Sequence, residues 1–173
     1  VVGTRLFADS LVTQVQRSVE QDLNTAYLVY EYRLDEIEDE VERMASDPEV
    51  VAALADGDHD AMHSALASAM GATPLDLLTV TDAQGFVVAR GGAGEVGRQD
   101  GRPDQLVGRV LKQRSPVSGT IIMSAENLGL EAPGLDERAR MGVLETPRAR
   151  PTDIQALDEG MVMASGVPVL VDG

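Results

Sequence analysis

The first quarter of the chain carries one long helical pattern of apolar positions. From Leu11 to Met44 apolar residues recur at a mean step of about 3.7 residues, close to the 3.6-residue turn of an α-helix. The later part of this pattern keeps a four-three alternation, with acidic residues on the other faces of the helix. The apolar members of this stripe are Leu23, Tyr27, Tyr30, Leu34, Ile37, Val41 and Met44. The pattern predicts an amphipathic helix over residues 1–46, whose stripe packs on a sheet, on a second copy, or on both.

Residues 47–74 predict short helices, because capping residues interrupt the periodic pattern. Asp47 is placed to cap free backbone amides, and Pro48 suits the first position of a second helix that ends at Gly57. A third helix is predicted to end at Gly71, which would take the left-handed conformation of a helix stop.

The period then changes from helical to β. Residues 75–81 and 86–90 are rich in β-branched and other apolar side chains. Between them, Asp82 is typical of a turn start, and Gly85 of a position with positive φ. This segment predicts a hairpin.

Further elements follow the hairpin. Residues 91–103 hold five glycines and one proline and predict a loop, and residues 104–112 predict a short helix. Residues 117–124 and 160–171 predict two more strands. The polar stretch 125–159 carries no clear period and predicts no defined element.

These elements predict an α+β fold with a central antiparallel sheet, short helices, and the long N-terminal helix packed behind the sheet. A length of 173 residues fits one domain. Within it we distinguish the long helix 1–46, the short helices 47–74 and a sheet-containing core 75–173. Because the sequence starts inside a helical pattern and stops at a turn opener, we expect it to be a piece of a longer protein that is truncated at a C-terminal hairpin.

Composition and charge exclude several function classes. The chain has no cysteine, which excludes a disulfide framework, a thiolate nucleophile and a thiolate zinc site. A net charge of −15 repels nucleic acid and anionic lipid, so we expect neither as a partner. No run of 18 apolar residues occurs, and the first residues lack the pattern of a signal peptide.

Basic residues are concentrated in one part of the chain. Residues 1–89 carry 4 basic and 17 acidic side chains, residues 90–150 carry 10 and 8, and residues 151–173 carry none and 4. The middle region offers guanidinium and hydroxyl groups suited to a carboxylate or another anion. The candidates are Arg90, Arg138, Arg140, Thr146, Arg148 and Arg150. The alternative is that these arginines pair with nearby surface carboxylates such as Asp136, Glu137 and Glu145.

Two motifs resemble metal sites incompletely. His59 and His63 have the spacing that places two imidazoles on one helix face, as in zinc proteases, but Asp60 stands where those enzymes carry a glutamate. Because no third histidine exists, we expect solvated helix histidines. Asp56, Asp58 and Asp60 alternate like the start of a calcium loop, but later positions lack its glycine and glutamate, so helix capping explains them better.

A run of glycines at residues 91–94 is typical of phosphate loops, but it lacks the following lysine with serine or threonine. We interpret it as a flexible connector. No nucleophile elbow occurs, and we therefore expect no enzymatic activity and no cofactor.

The order of these parts, together with three segments, carries a family resemblance. The segments are Leu77–Arg90 around the hairpin, Leu144–Thr152, and Gly160–Val169. The chain resembles the Cache (PAS-like) extracytoplasmic sensor domains of bacterial histidine kinases and chemoreceptors, and the likeness covers nearly all of it. No carboxylate-binding signature of that group matches residue by residue.

The resemblance implies a periplasmic sensor domain of a membrane-anchored parent protein, a two-component histidine kinase rather than a chemoreceptor. It implies a homodimer formed through the long helix, and a helix shift that transmits the binding of a small ligand, for which the basic residues of the middle region suggest an anionic metabolite. The expected ligand-binding residues are Arg90, Arg138, Thr146, Arg148, Arg150, Met161 and Met163. Two alternatives remain open: a dimeric scaffold without ligand, and a metal-binding domain that uses His59 and His63.

Overall fold

The computed structural model of the 173-residue chain describes residues 2–92, 105–144, 146, 150 and 152–170, and for residues 2–13 it describes the backbone only. The helices are α1 Val2–Ala45, α2 Pro48–Asp56, α3 His59–Ala72, α4 Gln105–Gln113, α5 Ala125–Glu131 and α6 Leu135–Ala139. The strands are β1 Thr79–Thr81, β2 Val87–Arg90, β3 Val117–Ser124, β4 Met141–Gly142, β5 Ala156–Leu157 and β6 Glu159–Gly166.

The predicted long helix is confirmed as α1, and a division of the chain falls within it. Residues 1–36 form one unit and residues 37–173 form the other. In the first unit Val15, Val19, Leu23 and Tyr27 of the apolar face are 58–68% exposed. In the second unit Met44 is buried and belongs to an apolar cluster with residues of the next helices.

The caps predicted for the short helices form with the expected geometry, except at one position. The side chain of Asp47 accepts a hydrogen bond from the amide of Glu49 at 2.8 Å, and Gly57 takes a φ of 65° at the end of α2. Gly71 was predicted to end α3, but this was wrong because α3 continues to Ala72. The helix stops because Pro74 disfavours helical backbone at the preceding residue, which is extended.

The predicted hairpin is confirmed as β1 and β2, an antiparallel pair. Asp82 organises the turn, since its carboxylate accepts hydrogen bonds from the amides of Gln84 and Phe86, both at 2.9 Å. Gly85 has a φ of 86°, the positive value that the turn requires. The strands are shorter than the predicted runs, and a register shift lies between Val80 and Thr81.

The predicted helix before the third strand and the third strand are also confirmed, and the last predicted strand is confirmed in part, because β6 ends at Gly166 and residues 167–170 form no strand. Strands β3 and β6 pair over eight residues, from Val117 opposite Gly166 to Ser124 opposite Glu159. Helix α4 packs Leu106 and Val110 on this ladder. The stretch without predicted elements contains α5, α6 and the short β4–β5 ladder, and most of the predicted loop 91–103 lies outside the described residues.

Two separate apolar clusters organise the second unit. The helix cluster joins α1, α2, α3 and the hairpin through Met44, Val50, Ala53, Met62, Leu66, Ala69, Leu78 and Ala89. The ladder cluster joins α4, β3 and β6 through Leu106, Val110, Val117 and Ala164, with Ile121 and Val162 packed against them.

The α+β class with antiparallel pairing is confirmed, but the expected single central sheet is not formed by the described residues. Their strands lie in three two-stranded ladders, β1–β2, β3–β6 and β4–β5. The hairpin strands are only three and four residues long, and the hairpin packs on α3 in the helix cluster while β3–β6 packs in the ladder cluster. The hairpin and the β3–β6 ladder therefore bury their apolar side chains in separate clusters.

Candidate functional site

A buried ion pair connects the hairpin to α5. Nε of Arg90 donates to Oε1 of Glu131 at 3.0 Å, and the two side chains are 7% and 10% exposed. The hydroxyl of Thr79 donates to Oε2 of the same carboxylate. Because a buried charge is costly unless it is paired and hydrogen-bonded, these contacts stabilise both ions where they are.

The two donors of this site lie side by side on the hairpin. Thr79 and Arg90 are direct partners in the antiparallel register, and side chains of paired residues lie on the same face of a ladder. The hairpin thus presents a guanidinium and a hydroxyl to the two oxygens of one carboxylate, an arrangement suited to carboxylate recognition.

His63 contributes to the same region from α3. Its Nδ1 lies 2.8 Å from the carbonyl oxygen of Arg90. Since a carbonyl only accepts, Nδ1 carries the hydrogen in this bond. His63 therefore fixes the backbone at the residue that supplies the guanidinium.

Two glycines allow the chain after Arg90 to pass close to its neighbours. A Cβ at Gly91 would lie 2.7 Å from the sulfur of Met70, and a Cβ at Gly92 would lie 2.7 Å from the carbonyl oxygen of Glu131. Larger residues would push the hairpin exit away from α3 and α5, so these positions support the ion pair through close packing.

A second set of contacts links β3 and β6 to α1. The hydroxyl of Ser118 on β3 donates to a carboxylate oxygen of Glu38 and lies 3.0 Å from the hydroxyl of Ser165 on β6. On the same face of the ladder Ile122 and Met161 are direct partners, and they are 61% and 68% exposed. Polar contacts with α1 are thus found at one end of this face, and exposed apolar side chains at the other.

The structure distributes the predicted ligand-binding residues over different surroundings. Arg90 is buried with Glu131, whereas Arg138 is exposed and pairs with Asp76 at 2.8 Å. Met161 and Met163 share the outer face of β6. Thr146 and Arg150 are exposed, and Arg148 lies outside the described residues.

Arg138 and Arg140 therefore have carboxylate partners at the surface, as the alternative of surface pairing expected, whereas the pair of Arg90 is buried. The partners differ from the predicted ones, because Arg140 lies 3.8 Å from Asp158 and the other two pair with Glu131 and Asp76. These carboxylates are distant in sequence from Arg90 and Arg138, so local spacing did not indicate them.

The metal motifs take other roles in the described residues. Asp58 caps α3 by accepting a hydrogen bond from the amide of Ala61 at 2.9 Å. His63 uses Nδ1 in its bond to the backbone, while His59 is exposed. Within the described part of the chain, no group of three or more histidine, aspartate or glutamate side chains is arranged to hold a metal ion.

Glu131, Thr79 and Glu38 were not identified from the sequence as site residues. Glu131 lies in the stretch without a clear period and meets a partner 41 residues away, and Glu38 meets Ser118 across 80 residues. No local pattern signals such pairs. The pairing of Thr79 with Arg90 depends on the register shift between Val80 and Thr81, which the sequence pattern did not indicate.

In a comparison with known proteins, the model of one protein family matches residues 8–125, which is more than half of the sequence. That family is described as LuxQ, periplasmic. No curated protein and no solved structure matches it. Among the described helices, none combines the length and the apolar composition needed to cross a bilayer.

Proposed function

Since this chain belongs to the family of LuxQ periplasmic domains and is the periplasmic sensing part of a membrane-anchored histidine kinase, we propose that it binds a small anionic metabolite and transmits the binding through α1. The proposal retains the PAS-like type for the domain and assigns it no catalytic step.

The observation that carries the proposal is the contact between α1 and the β3–β6 ladder. Ser118 donates to Glu38, and Ser118 and Ser165 join the two strands at that point. A displacement of the ladder therefore acts directly on a residue of α1. Helix shifts of about 1–2 Å suffice in known switches when a ligand binds two states unequally.

The connection between the two apolar clusters also supports a sensing role. Glu38 with Ser118 is a polar contact between an element of the helix cluster and one of the ladder cluster, while Arg90 with Glu131 and Arg138 with Asp76 tie the hairpin region to α5 and α6. Polar junctions inside a chain permit relative motion more readily than a continuous apolar core. A ligand that changes such a junction has a means of shifting one cluster against the other.

The test is thermal unfolding of the chain with organic acids, amino acids and divalent metal ions. A ligand that binds the folded state raises the melting temperature in a concentration-dependent way. Stabilisation by an organic acid supports the proposal, stabilisation by zinc alone favours the metal-binding alternative, and no stabilisation favours the scaffold. For a ligand found in this way, Arg90→Lys is expected to lower affinity, because lysine lacks the guanidinium fork, while Arg109→Lys on α4 serves as the exposed control.

The second part of the proposal is a homodimer through α1. The apolar stripe from Leu23 to Met44 was predicted to be the contact surface of the dimer. However, Leu34 and Met44 of that stripe are only 8% and 6% exposed. The exposed part of the face lies further toward the N-terminus, at Val15, Val19, Leu23 and Tyr27. These residues follow one another at intervals of four, so they form a continuous row on the helix.

The row is suited to a second copy because it carries no charged side chain. Tyr27 at the end of the row is uncharged at neutral pH, and a hydrogen bond to Glu31 raises its pKa further above the ordinary value. Two rows that face each other across a two-fold axis would bury these side chains on one another.

A further inference from the structure

We propose that Thr79 and Arg90 form a carboxylate-binding site on the hairpin, that Glu131 of α5 occupies it in this structure, and that the carboxylate of a small metabolite replaces Glu131 to generate the signal. This inference rests on the proposed sensing function and assigns it a ligand class and a position.

The site belongs to the hairpin rather than to α5. The two donors come from directly paired residues of neighbouring strands, and their spacing is set by the ladder register. His63 fixes the backbone of Arg90 from a third element. Helix α5 supplies only the acceptor, through a carboxylate that receives one bond on each oxygen. Glu131 is thus placed as a bound carboxylate ligand would be.

Burial determines which groups can replace Glu131. Arg90 is only 7% exposed, so the charge-assisted hydrogen bond between its Nε and Glu131 is costly to lose. A neutral amide can place its oxygen on Nε of Arg90 and its NH2 on the hydroxyl of Thr79, but it carries no charge, so its bond to the guanidinium is weaker. The site therefore selects carboxylates over amides of the same shape.

The end of α5 is arranged so that it can move without unfolding the helix. Glu131 is the last residue of α5, while Leu128, one turn earlier, is 1% exposed. A Cβ at Gly160 of β6 would lie 2.8 Å from Leu128, so the helix is closely packed against the ladder at that residue. For Glu131 to be replaced, only the last turn of α5 has to move away from the hairpin. At present Gly92, just after the hairpin, closely approaches the carbonyl oxygen of Glu131.

Such a movement has a path to α1. Helix α5 directly follows β3, and Ser124 at the end of that strand caps the helix through a hydrogen bond to Asn127. The same strand carries Ser118, which contacts Glu38. Release of Glu131 therefore alters a segment that is continuous with the strand in contact with α1.

Acetate provides a direct test in the Glu131→Ala variant, because it contains the atoms that this substitution removes. We expect sodium acetate to raise the melting temperature of Glu131→Ala in a saturable manner above sodium chloride at equal ionic strength, and acetamide to have no such effect. Glu126→Ala, exposed on the same helix, is the matched control and should show no acetate-specific shift. The response should be lost in the Arg90→Ala/Glu131→Ala double variant.

A second measurement on the unsubstituted chain tests replacement itself. Hydrogen exchange at residues 129–132 should become faster with acetate and stay unchanged with acetamide, while exchange at Leu128 stays slow. This measurement does not depend on whether Glu131→Ala folds.

An acetate-specific rise together with faster exchange supports the proposal. The proposal is overturned if folded Glu131→Ala responds equally to acetate and acetamide, or if exchange at the end of α5 does not change in the unsubstituted chain. Both experiments use acetate rather than a physiological signal, so their failure is distinguishable from failure of the metabolite screen.

Discussion

Gly92 shows how a single residue without a side chain supports the candidate site. An alanine Cβ at this position would meet the carbonyl oxygen of Glu131 at 2.7 Å and the Cβ of Ala132 at 2.9 Å. Both contacts are shorter than packed atoms tolerate. The hairpin exit or the end of α5 must therefore shift, and the bond between Arg90 and Glu131 must lengthen.

We predict that Gly92→Ala destabilises the chain by roughly 1–3 kcal/mol, the usual range for overpacking. The free energy of unfolding from denaturant titration measures this. The matched control is Gly108→Ala on α4, where a Cβ meets nothing within 4 Å. Because alanine favours helix over glycine, that control should be stabilised by roughly 0.5–1 kcal/mol. Equal effects of the two substitutions would show that the close approach at Gly92 is unimportant.

Residues that act on their near neighbours in sequence were predictable, and residues that act over long range were not. Asp47 and Asp58 cap helices through amides two and three residues away, and Asp82 organises a turn of four residues. Glu131 and Glu38 have partners 41 and 80 residues away. Their roles follow from the arrangement of whole elements, which local spacing does not contain.

At the scale of elements, α1 changes its surroundings along its length. The sequence pattern treats residues 23–44 as one stripe, but exposure is high at Leu23 and low at Met44. Periodicity specifies which face of a helix is apolar, whereas the element that covers each part of the face is fixed by tertiary contacts. The contact of Glu38 with Ser118 belongs to the second unit, close to the buried end of α1.

We predict that Glu38 and Ser118 are energetically coupled. Glu38→Ala and Ser118→Ala should each lower the free energy of unfolding by roughly 1 kcal/mol, because each removes the hydrogen bond between these two half-buried groups. The double substitution should cost less than the sum. Glu42→Ala, which removes an exposed carboxylate from the same helix, should be additive with Ser118→Ala. Additivity in both cycles would argue against a link between α1 and the ladder.

At the scale of the whole molecule, the two clusters and the exposed row on α1 are the features that relate to assembly and signalling. An apolar row on a helix with 58–68% exposure is unfavourable in water unless a partner covers it. In the proposed homodimer, that partner is the same apolar row on α1 of a second copy.

We predict that Leu23→Asp shifts the chain toward monomer in sedimentation equilibrium, because it introduces a charge into the row. Leu28→Asp is the matched control: both leucines lie on α1 and are 68% and 67% exposed, and the helical repeat places Leu28 on another face. If the unsubstituted chain is monomeric at all concentrations, or if both variants behave alike, pairing through this face is wrong.

The α+β class, the order and type of most elements, and the local chemistry of caps and turns follow from the amino-acid sequence, because periodicity, capping residues and β-propensity act within a few residues. The separation of the described strands into ladders on two apolar clusters, and the burial of Arg90 against Glu131, follow only from tertiary packing. Burial and pairing of this kind depend on which surfaces meet when segments distant in sequence pack, and no single segment encodes that choice.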